Sequence, residues 1–141
     1  MEIITIQDAR LLAWAEAQLK ATFDPSACRW VAGLDRGGVI WVVVYSRFCD
    51  RNCEVTIATD GSKRWATRRT LRAIFSHPFM QWGLARVTFI VAADNDRSLA
   101  MLRHEGPGGI GAKQEGRLRA AFDGDVDGIV FGLLKTECKW I

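Results

Sequence analysis

The amino-acid sequence predicts one α/β domain over residues 1–141, with a mixed, mostly antiparallel central sheet, a β-α-β-α core and a C-terminal hairpin. Three observations predict this class. Strand-like and amphipathic helical segments follow one another in the order β, α, two strands, β-α-β-α and a final strand pair. A chain of 141 residues is long enough to bury the core of one domain. Its 49% hydrophobic and 25% charged residues are typical of a globular protein.

The first half of the chain is predicted to place one helix between strands. "EIITI" is a short strand, and apolar residues recur at helical spacing over 7–20, before Pro25 ends the helix. "CRWVAGL" and "VIWVVVYSRF" are joined by "DRGG", a turn sequence, which predicts a hairpin. "EVTIAT" alternates in polarity and is the next predicted strand.

The second half contains two predicted amphipathic helices. An apolar stripe defines the first one, which Pro78 kinks or divides; its members are Leu71, Ile74, Phe75, Phe79 and Trp82. "LARVTFIVAAD" is a strand, and "NDRSLAMLRHEG" is a helix that Asn95 or Asp96 caps, with Leu99 and Leu102 facing inward. "GRLRAAFDGDVDGIVFGLLK" is predicted to form two strands around "DGDVDG".

Composition excludes several classes of protein. No apolar run is long enough to span a bilayer, and "MEIITIQDAR" lacks the basic and apolar regions of a signal peptide, so we expect a cytoplasmic protein. The net charge of +3 does not require a nucleic-acid partner. Cys49 and Cys53 have C-x3-C spacing, but Cys28 and Cys138 stand alone, which favours reduced, buried thiols and no metal site.

The most informative stretch is "ATDGSKRWATRRTLRAIF", in which a strand leads through a turn into a strongly basic helix start. The helix dipole disfavours cations there, but backbone N–H groups and basic side chains together suit a bound phosphate. Three interpretations compete: a solvated basic face, a nucleotide-like cofactor and a nucleic-acid backbone. Neither a Walker loop nor a Rossmann fingerprint is present, which argues against ATP and NAD.

From Trp30 to Trp140 the sequence resembles the GNAT superfamily of acyl-CoA-dependent N-acetyltransferases. "KRWATR" at 63–68 occupies the place of the family's Q/R-x-x-G-x-G/A loop, with Arg68 where the family has a small residue. "NDRSLAMLRHEGP" follows the family pattern N-x-x-[AS]-x-x-L-Y-x-K-x-G-F without a gap, except that Leu102 replaces the tyrosine. The ending "GRLRAAFDGDVDGIVFGLLKTECKW" is similar to the branch that acetylates ribosomal-protein and other protein N-termini.

The resemblance implies direct attack of an amine on the thioester of acetyl-CoA, the co-substrate. Glu54 is the first candidate for the base, ahead of Asp60 and Glu105. Ser98 is the candidate acid in place of the missing tyrosine. The strand backbone at Ile57, Ala58 and Thr59 is expected to hold the oxyanion and the pantetheine amides. The remaining cofactor-binding residues implied are Lys63, Arg64, Trp65, Ala66, Thr67, Arg68, Arg69, Asn95 and Arg97.

The resemblance leaves the acceptor open between a protein N-terminus or lysine, which we favour, and a small amine such as a polyamine or aminoglycoside. A cationic small acceptor would suit the acidic residues Asp123, Asp125 and Asp127, which turn chemistry also explains. Two other classes compete: a non-catalytic CoA-binding module and a nucleic-acid-binding domain. Modest charge and the lack of interleaved aromatic residues argue against the second. GNAT proteins often dimerise, so a homodimer through the last strand is also an expected state.

Overall fold

A seven-stranded sheet runs through the computed structural model, which describes residues 1–141. The strands are β1 (Glu2–Ile4), β2 (Arg29–Asp35), β3 (Gly38–Cys49), β4 (Asn52–Thr59), β5 (Arg86–Ala92), β6 (Lys113–Phe122) and β7 (Val126–Leu134). The α-helices are α1 (Ala9–Leu19), α2 (Arg68–Ser76) and α3 (Asp96–Arg103). This succession confirms the predicted order of elements. No helix combines the length and the apolar character needed to cross a membrane.

The strands lie side by side in the order β1-β2-β3-β4-β5-β7-β6. β4 and β5 are the one parallel pair, and every other neighbouring pair is antiparallel. A parallel pair needs a crossover, which the segment containing α2 supplies. The predicted mixed, mostly antiparallel α/β sheet is therefore confirmed.

Hydrophobic residues pack on both faces of the sheet. On one face, α2 and α3 cover alternate residues of β3, including Trp41, Val43 and Tyr45. On the other face, α1 covers the residues between them, including Val42 and Val44. Burial on both faces explains why β3 appears in the sequence as an unbroken apolar run. Because α1 is the one helix on its face, β5, β7 and β6 have no helical cover there.

The end of α2 confirms the prediction that Pro78 divides this helix from a final turn. The α-helix ends at Ser76, and a π-helical turn, His77–Gln81, contains Pro78. Proline has no N–H to donate to the carbonyl of Ile74, four residues earlier, so the α-helical pattern stops there. The Trp82 N–H donates instead to the carbonyl of His77 at 3.0 Å, five residues back. The predicted apolar stripe holds across this change, because Leu71, Ile74, Phe75 and Phe79 are all buried.

Candidate active site

The two parallel strands part after a short ladder. Register pairs join β4 and β5 from Asn52–Arg86 to Glu54–Thr88, and none follows. Beyond that point β4 remains paired with β3 as far as Thr59, and β5 remains paired with β7 as far as Ala92. The edge of β4 from residue 55 to 59 therefore faces β5 without a strand partner. Such an edge offers backbone N–H and C=O groups to an extended ligand.

An open cavity of about 1150 Å³ lies beside this split, on the face that carries α1 but where β5, β7 and β6 have no helical cover. Thr56 of β4 and Ile90 of β5 line it from the two sides of the split. The connection between α1 and β2, which contains no helix, supplies the lining over 21–24 and 26–28. Glu54, the last residue of β4 that pairs with β5, also lines the cavity. The candidate base thus lies at the point where the strands separate.

Glu54 forms an ion pair with Arg47, whose side chain a β-bulge directs towards it. Its Oε2 lies 3.3 Å from Nε of Arg47, and the two side chains are 20% and 82% exposed respectively. The β3–β4 register shifts between Ser46 and Cys49, and Arg47 has a φ of 49°. Regular strands send consecutive side chains to opposite faces, but Ser46, Arg47 and Phe48 all line the cavity. Ser46 and Phe48 would share a face in a regular strand, so the bulge aims one extra side chain, Arg47, at the site.

The two weaker candidates for the base have other partners. Oδ1 of Asp60 accepts hydrogen bonds from the N–H and hydroxyl of Ser62, which, with Arg64, lower the pKa of the Asp60 carboxyl. Glu105 is exposed on the turn after α3, where its backbone carbonyl accepts a hydrogen bond from Lys139. Neither residue lines the cavity. Of the three candidates, Glu54 is the one beside the split.

The basic loop connects β4 to α2 and ends in a capped helix. α2 begins at Arg68, so Lys63 and Arg64 lie in the loop, where the family resemblance places them, and Arg68, Arg69 and Arg72 lie in the helix. Oγ1 of Thr67 accepts a hydrogen bond from the N–H of Thr70 at 3.1 Å, as a helix cap does. Trp65 is partly buried and packs against the main core. The backbone from Ala66 to Thr67 leads directly into the helix N-terminus, where an anion is favoured.

Two of the five cations in the basic loop and the first half of α2 already have intramolecular partners. Arg64 lies 3.0 Å from Asp60 and 3.5 Å from Asp35, and Arg69 donates a hydrogen bond to the carbonyl of Met1 at 2.7 Å. Lys63, Arg68 and Arg72 are exposed and make no ion pair. Arg64 and Arg69 thus anchor the segment, and Lys63 and Arg68 are the free charges at its start.

The N-terminus of α3 lies at the same end of the sheet. Arg97 donates a hydrogen bond to the carbonyl of Gly61 at 2.7 Å, which joins α3 to the basic loop. Asn95 caps α3, because its Oδ1 accepts a hydrogen bond from the N–H of Ser98 at 3.2 Å. The hydroxyl of Ser98 makes no hydrogen bond within the chain and is partly exposed. Two helix N-termini therefore flank the end where β4 and β5 diverge.

Solved structures with this arrangement are known. A chimera of the spermidine N-acetyltransferase SpeG from Vibrio cholerae and hSSAT superposes with a TM-score of 0.73 over 96% of this chain and 97% of its own, at 16% identity. The ribosomal-protein-alanine N-acetyltransferase from Brucella melitensis gives 0.69 over 95% and 99%, at 14% identity. A SpeG mutant from Vibrio cholerae gives 0.66 over 82% and 67%, at 20% identity.

This chain has the GNAT fold. The resemblance of three sequence motifs to that superfamily is thereby confirmed at the level of the fold. No protein-family model matches the chain, and no curated protein sequence matches it.

The GNAT fold here lacks the family tyrosine on α3. Leu102 stands in its place, is 4% exposed and belongs to the main core. The chain's one tyrosine, Tyr45, is fully buried, and its hydroxyl donates a hydrogen bond to the carbonyl of Ile74. No tyrosine hydroxyl is therefore available beside the split.

The acidic residues of the last hairpin lie outside the cavity of this GNAT fold. Asp127 accepts hydrogen bonds from Arg117 at 2.7 Å and from the N–H of Ala120 at 2.9 Å. These bonds hold a bulge in β6, where Ala120 has a φ of 51°. Hydrogen bonding to Ala120 and Arg117 also lowers the pKa of the Asp127 carboxyl. Asp127 therefore has a structural role within the hairpin, through cross-strand bonds to β6.

The aromatic lining of the cavity was not indicated by the sequence. Phe23, Phe48, Trp82 and Phe122 come from four separate segments and meet at this site. Trp82 was predicted as part of a core stripe, but it is partly exposed and lies edge-on to Phe48, with ring centroids 5.6 Å apart. Exposed phenylalanines near strand ends were the available signal. Their convergence depends on bulges that local sequence patterns do not show.

The cysteines are free thiols, and three of the four are buried. Burial raises the pKa of the Cys53 thiol to about 12, with a smaller contribution from Glu54. Cys53 therefore stays protonated near neutral pH and is no nucleophile, although it adjoins the candidate base.

Proposed function

We propose that the chain transfers an acetyl group from acetyl-CoA to a primary amine, with a protein N-terminus or a lysine as acceptor. The observation that carries this proposal is the parting of β4 and β5 after Glu54 and Thr88. The unpaired edge of β4, the carboxylate of Glu54 and an open cavity on one face of the sheet lie together at this point. The comparisons support the fold on which this chemistry is known, and the acceptor is our own proposal.

The residues present fit acetyl-CoA. The free edge of β4 at Ile57, Ala58 and Thr59 suits the amides of pantetheine, which would extend the sheet as an added strand. The backbone N–H groups of Arg68 and Arg69 suit the pyrophosphate, because they lie in the first turn of α2, before the N–H of Leu71 donates to the carbonyl of Thr67. The N–H groups of Ala66 and Thr67 already donate to the carbonyls of Lys63 and Trp65 and shape the loop that leads there. Lys63 and Arg68 supply free positive charge, and Asn95 and Arg97 approach from α3.

The proposed reaction is a direct acyl transfer. The acceptor ammonium loses a proton to Glu54, directly or through water, and the amine nitrogen then attacks the thioester carbonyl carbon. A carbon–nitrogen bond forms, the carbonyl oxygen becomes an oxyanion held by a backbone N–H of β4, and the carbon–sulfur bond breaks. The hydroxyl of Ser98 protonates the departing thiolate and regains a proton from the nitrogen that has attacked, which becomes the neutral amide; the proton on Glu54 passes to water. The products are the acetylated amine and free CoA.

Calorimetric titration with acetyl-CoA tests the cofactor site. We expect micromolar binding that Arg68→Glu weakens by at least about tenfold, because it places a carboxylate beside the phosphates. Arg72→Glu is the matched control: it makes the same charge change one turn further from the helix N-terminus and removes no ion pair. Desulfo-CoA is expected to bind as well, since it keeps the phosphates and the pantetheine amides.

A short DNA duplex distinguishes the cofactor site from a nucleic-acid site. We expect no binding of the duplex at physiological salt. Salt-sensitive binding of the duplex, together with no binding of acetyl-CoA, would contradict the proposal and assign the basic loop to nucleic acid. Equal loss of acetyl-CoA affinity in the two arginine variants would mean that only general charge matters.

A further inference from the structure

We propose that the acceptor is the α-amino terminus of a polypeptide whose first residue has a large apolar side chain. This inference rests on the acetyltransferase function proposed above and names the class of acceptor that fits its cavity. Three features of the cavity lead to it: the balance of charge in its lining, its sparse acid–base groups, and its exposed aromatic surface.

The charges that line the cavity cancel. Its two carboxylates are Asp24 and Glu54, and its two cations are Arg29 and Arg47. Asp24 already accepts hydrogen bonds from the N–H of Ser26 at 3.0 Å and its hydroxyl at 2.7 Å, and Glu54 is paired with Arg47. An acceptor with several ammonium groups would find no carboxylates for the additional charges. The lining therefore suits an acceptor with one positive charge near the reacting nitrogen.

Few groups in the cavity can move a proton. Glu54 is the one carboxylate beside the split, and no histidine, lysine or tyrosine lines the cavity. An α-amine with a pKa of about 7.7–8.0 is roughly one-third neutral at pH 7.5, against about 0.1% for a lysine amine with a pKa of about 10.4. A site with one base therefore has roughly 250-fold more reactive amine available from an N-terminus.

The cavity also has apolar surface for a bulky first residue. Phe48, Leu118 and Phe122 are 44%, 45% and 40% exposed, and all three line it. A volume of about 1150 Å³ exceeds the usual 300–1000 Å³ of small-molecule sites, so the side chain and the chain that follows both have room. Covering this surface with a phenylalanine or leucine side chain favours binding by about tenfold or more.

Acetylation of matched peptides tests this inference. Peptides of one sequence begin with Phe, Leu, Ala, Glu or Lys, and a further peptide has a blocked N-terminus and an internal lysine. Spermidine and phenethylamine are the small-molecule comparisons. We expect kcat/KM for the Phe and Leu peptides to exceed that for the Ala and Glu peptides by at least about tenfold. Fragmentation mass spectrometry is expected to place the acetyl group on the α-nitrogen.

Two leucine variants test whether the cavity lining determines the preference for the first residue of the peptide. Leu118→Glu introduces a charge into the lining and is expected to abolish the preference for Phe and Leu. Leu134→Glu makes the same change at a residue that is 41% exposed and does not line the cavity, and it is expected to keep the preference. Thermal unfolding of both variants establishes that each is folded.

The results that would overturn this inference differ from those that would overturn the proposed function. Indifference to the first residue, or faster transfer to the blocked lysine peptide, overturns the inference and leaves the proposed function standing. Faster transfer to spermidine or phenethylamine overturns the inference and the proposed protein acceptor, and leaves acetyl transfer to a primary amine standing. Transfer to none of these acceptors, by protein that binds acetyl-CoA, overturns both.

Discussion

Tyr45 donates a hydrogen bond of 2.5 Å from its hydroxyl to the backbone carbonyl of Ile74. Ile74 lies four residues before Pro78, so in a regular helix its carbonyl would accept the N–H that proline lacks. The tyrosine on β3 thus donates to a carbonyl that loses its α-helical donor at Pro78. The one tyrosine of the chain has a structural role, which explains how it can be fully buried in an acyltransferase fold.

Tyr45→Phe is expected to destabilise the protein by about 1–3 kcal/mol, because it removes a buried hydrogen bond to a carbonyl that has already lost its α-helical donor at Pro78. Urea denaturation measures this change. Pro78→Ala provides the matched background, since an alanine at this position would restore an N–H to the same carbonyl. In that background Tyr45→Phe should cost clearly less, and an equal cost in both would show that Tyr45 acts through packing alone.

Glu54→Gln is expected to lower kcat for amine acetylation by about 10²–10⁴, since an amide cannot accept the ammonium proton. Affinity for acetyl-CoA should not change, because Glu54 lines the acceptor cavity and not the basic loop. Steady-state kinetics and calorimetry measure the two quantities.

Glu115→Gln is the control for the base. Its carboxylate is also ion-paired, 2.6 Å from Arg86, but it does not line the cavity. Its kcat should stay within a factor of about two of the wild type. Equal activity of Glu54→Gln and Glu115→Gln would remove Glu54 from the mechanism.

Ser98→Ala tests the proposed acid. We expect kcat to fall by about 10–10² with KM for acetyl-CoA unchanged, because only thiolate departure loses its proton donor. Stability should be unaffected, since the hydroxyl makes no hydrogen bond within the chain. Ser76→Ala, at the end of α2, is the matched helical serine and should leave kcat unchanged. An unaltered kcat in Ser98→Ala would mean that water or the substrate protonates the thiolate.

Local patterns were enough to predict the elements of the fold. The inward positions Leu99 and Leu102 and the cap at Asn95 follow from helical spacing and from polar side chains at helix starts, which are properties of short segments. The family resemblance added the fold, and it is the source of the prediction of where a cofactor would bind.

The details of the site depend on contacts between distant parts of the chain. The family resemblance predicts that Arg64 holds phosphate, but in the structure Arg64 forms an ion pair with Asp35. This pairing depends on the fold, which places the β2–β3 turn beside the basic loop. Arg47 reaches Glu54 because a bulge alters strand alternation. Such bulges depend on pairing partners, so the sequence of one strand does not reveal them.

The pH dependence of stability follows in part from Asp8. Its carboxylate caps α1 and pairs with Arg10, with Arg10 Nη2 2.7 Å from Asp8 Oδ2. The Arg10 side chain, and then its backbone N–H, lower the pKa of Asp8 from 3.8 to about 2. Because the folded pKa is depressed, the ionised group stabilises the protein above pH 4, and this contribution is lost as pH falls towards 2.

Asp8→Asn is expected to be less stable than the wild type by a constant amount above about pH 5, and by a shrinking amount between about pH 4 and pH 2. The amide keeps a cap oxygen but loses the charge that Arg10 stabilises. Urea denaturation from pH 6 to pH 2.5 measures both proteins. Asp123→Asn removes an exposed carboxylate that makes no hydrogen bond, and it should show no such pH-dependent gap. A gap for Asp8→Asn that does not narrow with acid would mean that the amide cap alone accounts for the difference.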